Sequence, residues 1–181
     1  MFEVEVKVKV DDIEAFKAKI NDLKCNFDEP LVQTDRIFVE NGVKGFNIPF
    51  GSPVLRIRTE NNKSIFTYKQ KTNDIRGTIE HETVIDNFEE MISILTLLGF
   101  KEHVTVNKKR VYAKYDNFNI CIDDVELLGS FVEIEIMANE DEKEEKYNNI
   151  LAFIKTLGLN EENIVKYKYD EMVYNIVNNT K

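Results

Sequence analysis

Residues 1–10 read MFEVEVKVKV, and the reading of this stretch decides the fold. Glu3, Glu5, Lys7 and Lys9 alternate with Val4, Val6, Val8 and Val10. Side chains on a strand point alternately to its two faces, so the segment reads as a strand with one apolar, β-branched face and one charged face. On an open sheet the valines face the core and the charges face water. On a sheet closed on itself, the same charges line a polar interior. Alternation alone fits both.

Working outward, the pattern recurs on most of the strand candidates. Arg56 and Arg58 share a face, with Leu55 and Ile57 opposite. Lys69 pairs with Lys71, Glu80 with Glu82, Lys108 with Arg110, and Asp123 with Cys121, while Glu133 and Glu135 stand against Val132, Ile134 and Ile136. Helical spacing appears between these strands. DDIEAFKAKINDLKC (11–25) carries an Asp cap and apolar Ile13, Phe16, Ile20 and Leu23. DNFEEMISILTLLGF (86–100) has Asp86 and Glu89 as a capping-box-like pair and Gly99 at its end. Asn139 caps a third helix running to Gly158, with Ile150, Leu151, Ile154 and Leu157 on one face, and 161–179 reads as a further helical segment. ENNK at 60–63 reads as a hairpin turn and TNDIRG at 72–77 as another turn. The loop at 40–53, with three Gly and two Pro, is a candidate lid. The order β-α-ββββ-α-βββ-α-α is that of an antiparallel α+β fold. Glu3-x-Glu5 and Glu80-x-Glu82, each followed by a helix and a charged strand, hint at two related halves.

Composition narrows the function. The chain of 181 residues is expected to form one domain over 1–181, with a net charge of −9. That charge argues against nucleic-acid binding, because phosphate backbones call for a basic footprint. Apolar runs fall short of a membrane span, and no signal peptide is expected, since the strand pattern starts almost at Met1. Cys25 and Cys121 stand without metal or redox spacing, so a reduced, cytoplasmic protein is expected. Basic residues gathered on particular strands of an acidic protein suit a local anion site, although ordinary surface mixing gives the same composition.

Glu3-Val-Glu5-Val-Lys7 resembles the E-x-E-x-K signature of the CYTH superfamily, also called triphosphate-tunnel metalloenzymes. It is joined in the family's order by QTDRIF (33–38), LRIR (55–58), TYKQK (67–71), RGTIEHE (76–82), KKR (108–110) and IDDVELLGSFVEIE (122–135). KYDEM (168–172) resembles a C-terminal motif. The set is most similar to the class IV adenylyl cyclase branch. The resemblance implies an eight-stranded antiparallel closed β-barrel, a tunnel with a charged lumen and helices packed outside.

By motif, the resemblance makes Glu3, Glu5, Glu133 and Glu135 ligands of Mg²⁺ or Mn²⁺. Lys7, Arg56, Arg58, Lys69, Lys108 and Arg110 would hold a triphosphate, and Lys7 and Asp123 are the catalytic candidates, with Asp123 a further possible ligand. Lys71 and Arg76 share the motifs, Lys9 lies beyond the site, and Glu80 and Glu82 either pair with cations or join the site. His81 and His103 are expected at the surface rather than as catalytic bases. The chemistry is coherent: converging Lys and Arg hold phosphates, and hard divalent cations prefer oxygen ligands. Met1 and Phe2 precede Glu3 where bacterial class IV cyclases carry a His-Phe pair. The implied activity is conversion of ATP to cyclic AMP and pyrophosphate. The alternatives are a tripolyphosphatase or a thiamine or nucleoside triphosphatase, and a non-catalytic nucleotide or polyphosphate sensor. The expected partner is a small-molecule triphosphate, with no nucleic acid and no membrane, and the resemblance implies a homodimer.

Overall fold

The computed structural model describes residues 2–71 and 78–179, without the side chains of Phe2, Lys71, Thr78 and Asn179. The expected turn at 72–77 and Arg76 lie outside the described residues. Eight strands form: β1 (Phe2–Lys9), β2 (Leu31–Glu40), β3 (Pro53–Glu60), β4 (Lys63–Lys71), β5 (Thr78–Ile85), β6 (Phe100–Tyr115), β7 (Phe118–Val125) and β8 (Gly129–Ala138). Four α-helices accompany them: α1 (Ile13–Asp22), α2 (Phe88–Leu97), α3 (Lys143–Thr156) and α4 (Tyr169–Asn179). The sheet is antiparallel, in the order β1-β8-β7-β6-β2-β3-β4-β5. The expected α+β class and strand number are met. Among the described residues no hydrogen-bonded pairing joins the end strands β1 and β5, so the ladder itself is not closed. No described helix is long and apolar enough to cross a membrane.

The chain forms two compact units, residues 1–31 with 108–167, and residues 32–107 with 168–181. In the first, the valines of β1 meet Ile120, Ile122, Val132 and Ile134 from β7 and β8, and Phe16 and Ile20 of α1 and Ile150 and Ile154 of α3 pack with them. The apolar face of the opening strand therefore lies under helices, and Glu3, Glu5 and Lys7 take the other face. Cys25 belongs to this core and Cys121 is also buried. In the second unit, Phe38, Leu55, Ile57 and Leu95 form the core, with Phe66, Phe88, Met91 and Ile92 against it.

Local chemistry sets the boundaries. Asp12 caps α1, accepting from the Ala15 N–H at 2.9 Å. The cap of α2 is Asn87, which accepts from the Glu90 N–H at 3.1 Å, one residue later than the expected Asp86. Glu142 accepts from the Asn139 N–H at 2.9 Å, but residues 140–142 form a 3₁₀ turn before α3 starts at Lys143. Glu161–Asn163 is another 3₁₀ turn and Ile164 bridges Val8, so the helical stretch expected at 161–179 is broken and α4 begins only at Tyr169. Asn61 and Asn62 both have positive φ, 44° and 67°, between paired Glu60 and Lys63. Two left-handed residues make the tight turn that matches strand twist, and Asn tolerates that conformation.

The loop expected as a lid is anchored within the second unit. His103 Nε2 lies 2.8 Å from the Gly45 carbonyl, the Tyr174 hydroxyl accepts from the Gly45 N–H at 3.3 Å, and Gln70 donates to the Gly51 carbonyl. Phe46 packs edge-on against His103 and Tyr174, which stack on each other at 4.3 Å. His103 is thus half-buried in an aromatic cluster, not on the surface as expected, whereas His81 is exposed.

Ile154 is fully buried and Leu97 is 88% exposed, so their replacement should separate cleanly. Ile154→Ala is expected to cost about 2–5 kcal/mol in urea unfolding. Leu97→Ser should stay within about 0.5 kcal/mol of the parent.

Candidate triphosphate and metal site

In the first unit, strand register arranges one sheet face into rows. Lys7 stands opposite Glu133, which stands opposite Cys121. Glu5 stands opposite Glu135, and Arg110 opposite Asp123. Lys7 Nζ lies 3.3 Å from Glu133 Oε1 and donates to the Tyr167 carbonyl at 3.3 Å. Arg110 donates through Nε to Asp123 Oδ1 at 2.6 Å and through a terminal nitrogen to Oδ2 at 2.5 Å. The same terminal nitrogen donates to Glu133 Oε2. These four side chains are no more than 9% exposed. Burial works against the Arg110 charge, but the hydrogen bonds and charge of Asp123, with Glu133 adding, hold its pKa above the ordinary value. Lys108 is buried on the same face.

One row along, the electrostatics change sign. Opposed carboxylates on paired strands repel. Burial, then the charge of Glu3, push Glu135 up to about 7, with Glu133 and Glu5 adding and Arg110 opposing. Glu3 and Glu5 are exposed and Glu135 is half-buried. The Cys121 thiol donates to Glu135 Oε1 at 3.6 Å, and burial raises its pKa. Cys121, Glu133 and Glu135 offer ligand atoms within 4.8 Å of one another. Acidic oxygens that burial and mutual repulsion together keep partly protonated near neutrality fit a hard divalent cation, which would relieve that repulsion.

The second unit carries its own charged face. Arg58 donates to both oxygens of Asp35, at 2.6 and 2.8 Å. Arg56 donates through one terminal nitrogen to Glu82 Oε1 at 3.0 Å and to the Thr67 hydroxyl at 3.2 Å, and that hydroxyl donates to Glu82 at 2.8 Å. Lys69 lies 2.9 Å from Glu80. The Thr67 hydrogen bond, helped by Arg56 and Lys69, holds Glu82 below the ordinary carboxylate range despite partial burial. Gln33 donates to Glu60. Two buried polar atoms, Arg56 Nε and Gln33 Oε1, have no hydrogen-bond partner among the described residues.

The CYTH domain model matches residues 1–169. The chain belongs to the CYTH family. A Methanocaldococcus jannaschii protein named "putative adenylate cyclase" is 34% identical to this CYTH protein over 175 residues, 95% of this chain and 98% of that one. The solved structure of the PH1012 protein of Pyrococcus horikoshii is 30% identical, with a TM-score of 0.78 over 95% of this chain and 99% of that one. A Hippeastrum "putative adenylyl cyclase", whose structure is described as revealing a dominant triphosphatase activity, shares the fold at 18% identity. Its TM-score is 0.60 over 87% of both chains.

The CYTH protein therefore gathers Glu3, Glu5, Lys7, Lys108, Arg110, Asp123, Glu133 and Glu135 on one face of the first unit. Arg56, Arg58 and Lys69 share a face of the second. Arg76 and the Lys71 side chain lie outside the described residues. Glu80 and Glu82 pair with cations, one of the two roles open to them. Asp35 and Thr67 lie within the QTDRIF and TYKQK stretches but are not among the expected site residues. Thr67 sits two positions from Lys69, so alternation alone places it on the same face of its strand.

The raised Glu135 pKa has a sign that can be tested. A carboxyl binding its proton more tightly when folded (about 7 against an ordinary 4.5) makes the folded protein lose stability as pH rises through that window. In metal-free buffer, Glu135→Gln should melt a few degrees above the parent at pH 8, with the difference gone at pH 4. A variant melting below the parent at pH 8 would contradict this account.

Proposed function

We propose that this protein turns over a triphosphate with a divalent cation, and that its reaction is the adenylyl cyclase one, ATP to cyclic AMP and pyrophosphate. The observation that carries the reading is the juxtaposition on one sheet face of the Glu3, Glu5 and Glu135 carboxylates with the buried Lys7–Glu133–Arg110–Asp123 network. Glu3, Glu5 and Glu135 would hold Mg²⁺ or Mn²⁺, with Glu133 next to them. A bound ion of this kind offsets phosphate charge and favours departure of the pyrophosphate group. Lys7, aimed by Glu133 and the Tyr167 carbonyl, contributes a fixed ammonium for phosphate oxygens. Lys108 adds a cationic donor on this face, and Arg56 and Lys69 offer cationic donors on the charged face of the second unit. Both oxygens of Asp123 are taken by Arg110, so Asp123 serves by orienting that guanidinium. The name of the archaeal relative supports the cyclase reading.

A triphosphatase is the second reading, favoured by the activity described for the Hippeastrum protein of the same fold. The two reactions use the same phosphate cradle and differ in where the nucleophile stands, a ribose 3′-hydroxyl at the α-phosphorus or water at the terminal one.

Incubation with Mg²⁺ or Mn²⁺ and ATP, tripolyphosphate or thiamine triphosphate, with products separated by chromatography, distinguishes them. Cyclic AMP with pyrophosphate is expected from ATP. Orthophosphate as the main product would establish the triphosphatase, and no turnover of any of the three would refute the enzyme reading. Substitutions that merely orient a metal ligand cost about 10–100-fold, so Glu5→Gln is expected to lose at least roughly 100-fold in rate while keeping its melting temperature. Parental activity in that variant would remove Glu5 from the metal site.

A further inference from the structure

Among the described residues, Arg56, Arg58 and Arg110 stand on the charged faces, and they differ in how their donors are used. Arg58 and Arg110 each present the Nε and a terminal nitrogen side by side to one carboxylate, Asp35 and Asp123 respectively. This bidentate fork is the strongest arrangement the guanidinium makes. The carboxylates are sealed in, Asp35 at 8% and Asp123 at 0% side-chain exposure. Arg56 is different. Its carboxylate, Glu82, takes a terminal nitrogen only, at 3.0 Å. Its Nε is buried and meets no acceptor among the described residues. A buried donor left without an acceptor is costly, and a native protein rarely keeps one without reason.

The partner of Arg56 is also the accessible kind. Glu82 is 48% exposed and Glu80, on Lys69, is 39% exposed. Exposed ion pairs contribute little and exchange readily, whereas sealed bidentate pairs do not. Glu80 and Glu82 lie two residues apart on one face of β5, opposite Lys69 and Thr67 respectively. Two oxyanions thus hold two cations on neighbouring rows, at the spacing of alternate residues on one strand.

We propose that Glu80 and Glu82 are displaceable stand-ins for phosphate. A polyphosphate arriving at this face takes the Nε and terminal nitrogen of Arg56 together, satisfies the orphaned Nε, and displaces Glu82 from Arg56 and Glu80 from Lys69. Arg56 and Lys69 are the exchangeable cations of this unit, and Arg58 is a permanent structural pair. The two glutamates therefore set affinity by competition: they keep the cations positioned and partnered before the ligand comes, and they weaken its binding. This assignment rests on the triphosphate reading of the site.

The test is isothermal titration calorimetry of tripolyphosphate in Mg²⁺ buffer, on the full chain and its Glu82→Gln, Glu80→Gln and Glu102→Gln variants. Glutamine keeps the acceptor for Thr67 and removes the charge. Glu82→Gln is expected to tighten binding roughly two- to five-fold, about the worth of an exposed ion pair, and Glu80→Gln to do the same independently should the first variant fold poorly. Glu102 pairs with Arg36 at 2.6 Å away from this set, so Glu102→Gln controls for net charge and should leave affinity unchanged. Unchanged or weaker binding in Glu82→Gln and Glu80→Gln, with the parent binding normally, overturns the stand-in role alone. Equal tightening in Glu102→Gln overturns it too, since net charge then suffices. Failure of the parent and all variants to bind tripolyphosphate overturns the triphosphate reading, and the inference with it.

Discussion

A carboxylate shut away from water has to be matched by charge where it sits, and Glu133 is matched twice. Lys7 reaches it from β1 and Arg110 from β6, with Asp123 holding Arg110 from behind. Removing one partner from such a network leaves a buried charge without compensation, which is far more costly than never having buried the pair. The network consequently ties down the register of β1, β8, β7 and β6. A one-residue slip would turn every valine of β1 outward and every charge into the helices. The apolar packing of α1 and α3 and the charged face thus depend on the same alignment.

The same short motif reads differently in the two units. Glu3-x-Glu5 and Glu80-x-Glu82 are indistinguishable by alternation, and each presents two carboxylates to one face. What separates them is the strand alongside. Glu5 stands opposite another acid, Glu135, whose proton is held more tightly by burial and then by the charge of Glu3, with Glu5 adding. Glu82 meets the Thr67 hydroxyl and the Arg56 guanidinium, and its proton is held less tightly. One pair stands beside a further acid and the other beside cations.

This marks the boundary of what the sequence discloses. Strand positions, the apolar and charged faces, and the helices under the valines were legible, because period-two and helical spacings are local. The identity of each ion-pair partner was not, because it follows from cross-strand register, which turns such as Asn61–Asn62 determine. The family resemblance pointed to residues that fall on the charged faces of the two units but could not say that Arg58 and Arg110 are each clasped by an aspartate. Boundaries shifted where two residues compete for one role. Asp86 and Asn87 are both good caps, and the one next to Phe88 prevails because the helix begins there. The closed barrel came from the resemblance, and strand pairing by itself shows eight antiparallel strands with two ends.

The two cysteines add a practical property. Both belong to the first unit, both are buried, and burial raises the pKa of each thiol, so neither reacts readily while that unit is folded. The second unit contains no cysteine at all. A pulse of thiol-alkylating reagent followed by mass spectrometry therefore reads the opening of the first unit directly, with no label introduced and no signal from the second. Cys25 lies just beyond α1 and Cys121 lies in β7, so the two alkylation rates also report separately on the helical cover and on the sheet floor beneath the carboxylates.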